Sequence, residues 1–321
     1  MSEERKRGVK QRIQICMLVS GIWLLLGLVG CKNIKVVEMN QSDDVSSTQE
    51  DEMQNGTDTV EDGQQASEEN ILPAIPSTEQ IERPESEYDA ISNQLEAWWF
   101  KRNDQHLPSG CQENFDISQY HAYYVNKEAG DNVIYLTFDC GYENGYTADI
   151  LDTLKEQNVK AVFFVTQTYI RDNPELVIRM KEEGHLVGNH TITHPSMPGL
   201  SIEEMKEEVL GCASYMKEAT GYDMDPYIRP PRGEYSERTL QLCEDMGYCT
   251  IFWSMAYLDY EVNNQPTPEY VVQHFDKYCH PGAVPLLHNV SSANATALPQ
   301  VINHLREAGY RFGTVDEFCH F

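Results

Sequence analysis

From Asn132 to the C-terminus, short apolar runs alternate with amphipathic stretches, and this rhythm restricts the fold more than any other feature. Val133-Ile-Tyr-Leu-Thr-Phe138 reads as a buried strand, and 146–157 as a helix with Ile150, Leu151 and Leu154 on one face. Ala161-Val-Phe-Phe-Val165 is a second strand, followed by a helix over 174–183. His185-Leu-Val-Gly188 is a short third strand, and 201–220 a helix whose capping box is Ser201 with Glu204 and whose stop is Gly221. Strands near Tyr227-Ile228, at Cys249 to Trp253, at Ala283 to Leu287 and at Arg311 to Thr314 follow, with helices over 236–246, 268–278 and 295–308 between them. Seven strands with intervening helices imply a parallel α/β architecture, either barrel or doubly wound.

The polar residues with chemical potential keep to the same rhythm. Asp139, the pair His190/His194, Arg229, Asp259 and His288 each lie at or just after the C-terminal end of an expected strand. In a parallel barrel those ends converge on one rim, where active sites are built. Thr191, Ile192, Thr193 and Pro195 disfavour a helix around the two histidines, so the pair sits on a loop that can close on a divalent metal. Metal plus a neighbouring carboxylate base is the minimum for splitting an amide or ester with metal-bound water.

The first ninety residues are of another kind. Arg5, Lys6, Arg7, Lys10 and Arg12 precede a largely apolar run over 13–29, then Leu28-Val29-Gly30-Cys31. This is a secretory signal (1–30) whose end resembles a bacterial lipobox, implying cleavage before Cys31 and lipidation of its thiol. The alternative is an uncleaved membrane anchor. Either places the body outside the cytoplasm, on the membrane's outer face. From Glu38 to Ala90 there are sixteen acidic residues and one basic one, so 31–88 reads as a disordered, self-repelling tether. A lead-in (89–130) packed on the barrel and a catalytic domain (131–321) complete the expected order. A formal charge of −27 argues against a nucleic-acid partner, and no obligate protein partner is evident. Of nine cysteines, Cys16 leaves with the signal and Cys31 would be acylated; the odd number left implies at least one free or metal-bound thiol.

Five motifs occur in order: Thr137-Phe138-Asp139-Cys140-Gly141, His190-Thr-Ile-Thr-His194-Pro195, Arg229-Pro-Pro-Arg232-Gly233, Trp253 to Tyr260 with Asp259, and Leu286-Leu287-His288. Together they resemble the polysaccharide deacetylase superfamily, the NodB-like carbohydrate esterases. Tyr142-Glu-Asn-Gly-Tyr146, Arg232-Gly233 and Trp98-Trp99-Phe100-Lys101-Arg102 look like its delta-lactam-biosynthetic de-N-acetylase branch, which removes acetyl from N-acetylmuramic acid in peptidoglycan. The resemblance implies a distorted (β/α) barrel of fewer than eight strands, about seven here. It implies His190 and His194 as ligands of a divalent metal, most simply Zn2+. Asp139 would be the base oriented by Arg229, and His288 the acid backed by Asp259. Arg232 would supply an oxyanion-donating N–H and a guanidinium for the lactyl carboxylate, with Tyr142 and Trp253 also facing substrate.

Two positions depart from the family pattern. Cys140 stands where most members carry an aspartate that is the third metal ligand; a thiolate could replace it, or the thiol could point away. Tyr260 replaces the usual tryptophan. Trp98 and Trp99 read as packing residues or as a sugar-stacking pair. Two other functions stay open: a deacetylase acting on N-acetylglucosamine or another acetylated polysaccharide, and a non-catalytic wall-binding lipoprotein.

Overall fold

The structure is a computed structural model that describes residues 83–112 and 114–319. The expected signal, Cys31 and nearly all of the acidic tether therefore lie outside the described residues. The body is built on a seven-stranded sheet in which every pairing is parallel. Across the sheet the strands are Leu286–His288, Thr137–Cys140, Val162–Val165, Leu186–Asn189, Tyr227–Ile228, Cys249–Ile251 and Ala122–Tyr123. No ladder joins the two edge strands among the described residues, so the barrel is open on that side. A single bridge, Val125 to Ala283, is formed between the segments that flank them.

The expected number of strands is met, but not the expected membership. The run 133–138 is two pieces: Tyr135 donates to the Ala283 carbonyl, and this detour separates Val133–Ile134 from Thr137–Cys140. Val133–Ile134 instead pairs with Arg311–Phe312 in a separate ribbon, which removes the last expected strand from the sheet. Its place is taken by Ala122–Tyr123 from the lead-in. A short helix, Gln167–Asp172, also precedes the expected one at Pro174–Glu182.

Pleating sorts the strand side chains onto two faces. Phe138, Cys140, Phe163 and Val165 face the helices and pack with Ile150, Leu151, Leu298 and Ile302. Val162, Phe164, Tyr227, Ile251 and Val284 form a second cluster. Each fully buried side chain of this size contributes about 1.5–3 kcal/mol. The helix Ile202–Thr220 begins with the expected capping box, Ser201 Oγ accepting from the Glu204 N–H while the Glu204 carboxylate accepts from the Ser201 N–H at 2.8 Å. It ends at Gly221 in the left-handed conformation (φ 80°). The order begins before the expected lead-in: the last residues of the expected tether form a helix, Glu85–Tyr88, anchored by buried Tyr88, whose hydroxyl donates to Asp245 at 2.6 Å. Cys249 and Cys319 form a disulfide, and Cys111, Cys140, Cys212, Cys243 and Cys279 are free.

Candidate active site

The strand register places the reactive groups side by side. His288 is the Cα partner of Asp139 on the neighbouring strand, both at the C-terminal end of their strands. Two strands beyond Asp139, past Val162–Val165, Asn189 ends the Leu186–Asn189 strand and hands the chain to His190. Arg229 directly follows Tyr227–Ile228. Residues distant in sequence meet because parallel strands end at a common level.

Arg229 is fully buried and organises the centre. Its Nη1 donates to Asp139 Oδ1 at 2.7 Å, while Nε and Nη2 donate to the carbonyls of Ile251 and Phe252 at 3.0 and 3.2 Å. The guanidinium also lies 4.3 Å from the Phe164 ring centroid. Burial alone would push the Asp139 carboxyl up. The Arg229 guanidinium foremost, joined by His190 and His288 when they are protonated, outweighs it and holds the group below its usual range, ionised.

His190 Nδ1 lies 2.8 Å from the Arg229 carbonyl. A carbonyl only accepts, so Nδ1 carries the hydrogen and Nε2 keeps its lone pair. That Nε2 stands 3.6 Å from Asp139 Oδ2. Burial lowers the His190 pKa to about 4 and also lowers that of His194, so both rings are neutral at pH 7. The two rings lie 4.8 Å apart, edge to face. Their loop turns tightly: Thr191 (φ 69°) and His194 (φ 59°) are both left-handed, stabilised by Asn189 Oδ1 accepting from Thr191 N and Thr191 Oγ1 accepting from His194 N. Two neutral imidazoles beside an ionised carboxylate suit a divalent cation.

Cys140 does not join them. Its neighbour Asp139 lines the cavity, and the pleat turns Cys140 to the opposite, helix-facing side among Phe138, Leu151 and Leu154. Fully buried, its thiol is pushed well above its ordinary pKa, first by burial and then by the charges of Asp139 and Glu143. Of the two placements left open for Cys140, the structure has the one in which the thiol points away from the cavity.

On the other side of Asp139, His288 Nδ1 lies 2.7 Å from Asp259 Oδ1, and the His288 N–H donates to Asp259 Oδ2 at 2.8 Å. Asn294 Nδ2 donates to the same Oδ2 at 2.7 Å, and Asn294 Oδ1 accepts from Tyr257 at 2.6 Å. Burial works against the imidazolium, but Asp259 outweighs it and the His288 pKa is raised. Asn294 and Tyr257 were not expected from the sequence. The only local signal is that Asn294 stands in the first turn of the helix Ser292–Glu307, where its N–H is capped by Ser291.

Asp139, His190, His194 and His288 line one cavity of about 780 Å³, together with Tyr142, Arg232, Trp253 and Tyr260. Arg229 and Asp259 are fully buried behind it, and reach it through their hydrogen bonds to Asp139 and His288. Arg232 is left-handed (φ 60°), and no carboxylate pairs with its guanidinium among the described residues. Trp98 is buried, while Trp99 is half exposed.

A profile of the family described as polysaccharide deacetylase matches residues 126–251. A 30.6 kDa protein of Geobacillus stearothermophilus is 45% identical over 230 residues, covering 71% of this chain and 86% of its own length. The peptidoglycan-N-acetylmuramic acid deacetylase PdaA of Bacillus subtilis is 41% identical over 231 residues, covering 71% of this chain and 88% of that protein. The solved structure of that PdaA, described as a family 4 carbohydrate esterase, superposes with a TM-score of 0.68 at 40% identity, covering 71% of this chain and 98% of its own.

Proposed function

The chain belongs to the polysaccharide deacetylase family, and from that premise we propose that it hydrolyses the N-acetyl group of N-acetylmuramic acid residues in peptidoglycan. The observation that carries this reading is the convergence, on one cavity, of an ionised base, two neutral imidazoles, a histidine backed by a carboxylate, and an Arg232 guanidinium without a carboxylate partner among the described residues. A non-catalytic wall-binding protein would not need that set assembled.

His190 and His194 would hold the metal, zinc in our reading, and it would supply a Lewis acid to the acetyl carbonyl and the attacking water. Asp139, fixed by Arg229, accepts the proton of that water. His288 carries the proton that the departing amine needs, and Asp259 keeps the imidazolium available at neutral pH. The Arg232 guanidinium matches the lactyl carboxylate that distinguishes muramic acid from glucosamine, and Trp253 and Tyr142 offer ring faces to the sugar. The expected signal and lipobox support a lipid-anchored protein on the outer face of the membrane, where peptidoglycan strands lie.

The test is mass spectrometry of muropeptides after incubation with the purified protein. The expected product has lost one acetyl, located on muramic acid. Loss from glucosamine would move the reading to the alternative substrate. On the same basis, Arg232→Ala should lower activity on muramic-acid glycans far more than on N-acetylglucosamine oligomers.

A further inference from the structure

We propose that the lead-in segment around Trp98 is a positioning element that locks the Arg232 turn, and so sets which glycan the site accepts. The second half of this statement rests on the reading of Arg232 given above.

The part of the lead-in around Trp98 lies upstream of the region matched by the family profile, yet it reaches the cavity wall. Glu96–Ala97 pairs antiparallel with Glu234–Tyr235, the two residues that follow Arg232-Gly233. The Trp98 N–H donates to the Gly233 carbonyl at 2.7 Å, and its indole Nε1 donates to the Trp253 carbonyl at 3.0 Å. The indole is 7% exposed and stacks on Phe252 with centroids 4.4 Å apart. One residue thus holds both: its backbone N–H ties down the turn carrying Arg232, and its indole N–H the backbone of the wall residue Trp253.

A second residue reinforces this grip. Gln112 is buried, and its amide makes three hydrogen bonds: Nε2 donates to the Ala97 carbonyl and to Tyr235 Oη, each at 2.9 Å, and Oε1 accepts from Trp99 N at 2.7 Å. All three join the lead-in to itself or to the strand after the turn.

The turn needs such support. A non-glycine residue in the left-handed region is disfavoured, and persists where its surroundings determine it. Arg232 is such a residue, and Gly233 beside it is also left-handed (φ 67°). A Cβ on Gly233 would meet Trp253 Cη2 at 2.8 Å and Trp98 Cβ at 3.2 Å, so the turn has no slack on that side. Upstream, Pro230 and Pro231 restrict the backbone through their rings. With no carboxylate among the described residues to orient it, the guanidinium takes its place from the backbone, and the backbone takes its place from Trp98.

The test uses the full chain with Trp98→Ala and Trp98→Phe, each measured on a muramic-acid glycan and on the same glycan with its lactyl carboxyl amidated. Thermal midpoints and trypsin cleavage after Arg232 are followed in parallel. A misplaced binding group costs on the order of tenfold or more, so Trp98→Ala should raise KM for the carboxylate glycan by about that factor with a smaller change in kcat. The amidated glycan should change little, and cleavage at Arg232 should accelerate. Both variants keep the backbone N–H to Gly233 and lose the indole N–H to Trp253; Trp98→Phe keeps the ring stack on Phe252 that packs the turn in place, and should recover most of the difference. Equal losses on both glycans, or a lowered midpoint without faster cleavage at Arg232, would overturn the proposal. If Arg232→Ala itself fails to discriminate the two glycans, the reading of Arg232 as the carboxylate donor is lost. The cleavage rate then still decides whether Trp98 locks the turn.

Discussion

Replacing Asp259 by asparagine removes one charge from the site with little change in volume, and the geometry determines how the new amide must sit. Oδ2 accepts from two N–H donors, His288 N at 2.8 Å and Asn294 Nδ2 at 2.7 Å. An NH2 group there would face two donors, so the asparagine carbonyl takes that position and its NH2 faces His288 Nδ1. The ring is then held in the neutral tautomer with its hydrogen on Nε2, and an imidazolium would meet a donor where it now meets a carboxylate. A hydrogen bond to a charged group is worth about 1.5–3 kcal/mol, and one pKa unit corresponds to about 1.4 kcal/mol. The His288 pKa should therefore fall by about 1–2 units. In the native protein Asp259 raises that pKa against burial; in the variant burial is opposed only by Asp139. His288 must be protonated to serve as the acid, so it governs the alkaline limb of the pH–rate profile. That limb should move to lower pH by about 1–2 units, and kcat at neutral pH should drop on the order of 100-fold or more. Acetate release on a muramic-acid glycan across the pH range, with a thermal midpoint as control, measures both. A variant whose alkaline limb stays in place would refute the assignment of His288 as the acid, even if its kcat were low.

Arg229→Met leaves a buried carboxylate without its partner, which costs about 3–5 kcal/mol in thermal or denaturant unfolding. It also removes the main charge that lowers the Asp139 pKa, so the acidic limb of the profile should move to higher pH; an unmoved limb would show that Arg229 does not tune the base. His190→Ala or His194→Ala should lose bound divalent metal, measured by elemental analysis after dialysis, and chelation should abolish parental activity. Cys140→Ala should retain the metal content of the parent and cost about 1 kcal/mol through the small cavity it leaves; loss of metal in that variant would restore the thiol as a ligand.

The sequence alone determined what is local. The apolar runs and amphipathic stretches marked most strands and helices within a residue or two, because burial on a strand or a helix face imposes its own period. Ser201, Glu204 and Gly221 delimited a nineteen-residue helix through contacts that span only a few positions. The positions of Asp139, His190, His194, Arg229 and His288 at strand ends followed from the same rhythm. Tertiary structure decided what depends on partners far along the chain. Ala122–Tyr123 is two residues long and has no period to detect; it becomes the seventh strand only because Cys249–Ile251 offers it a free edge. Val133–Ile134 left the main sheet because Arg311–Phe312 paired with it. Asn294 reads locally as a first-turn helix residue, and becomes the support of Asp259 through a contact thirty-five residues long. Cys140 shows both levels at once. Its composition and place suggested a ligand, but once Arg229 drew Asp139 toward the cavity, the two-residue pleat of the strand turned the next side chain away from it.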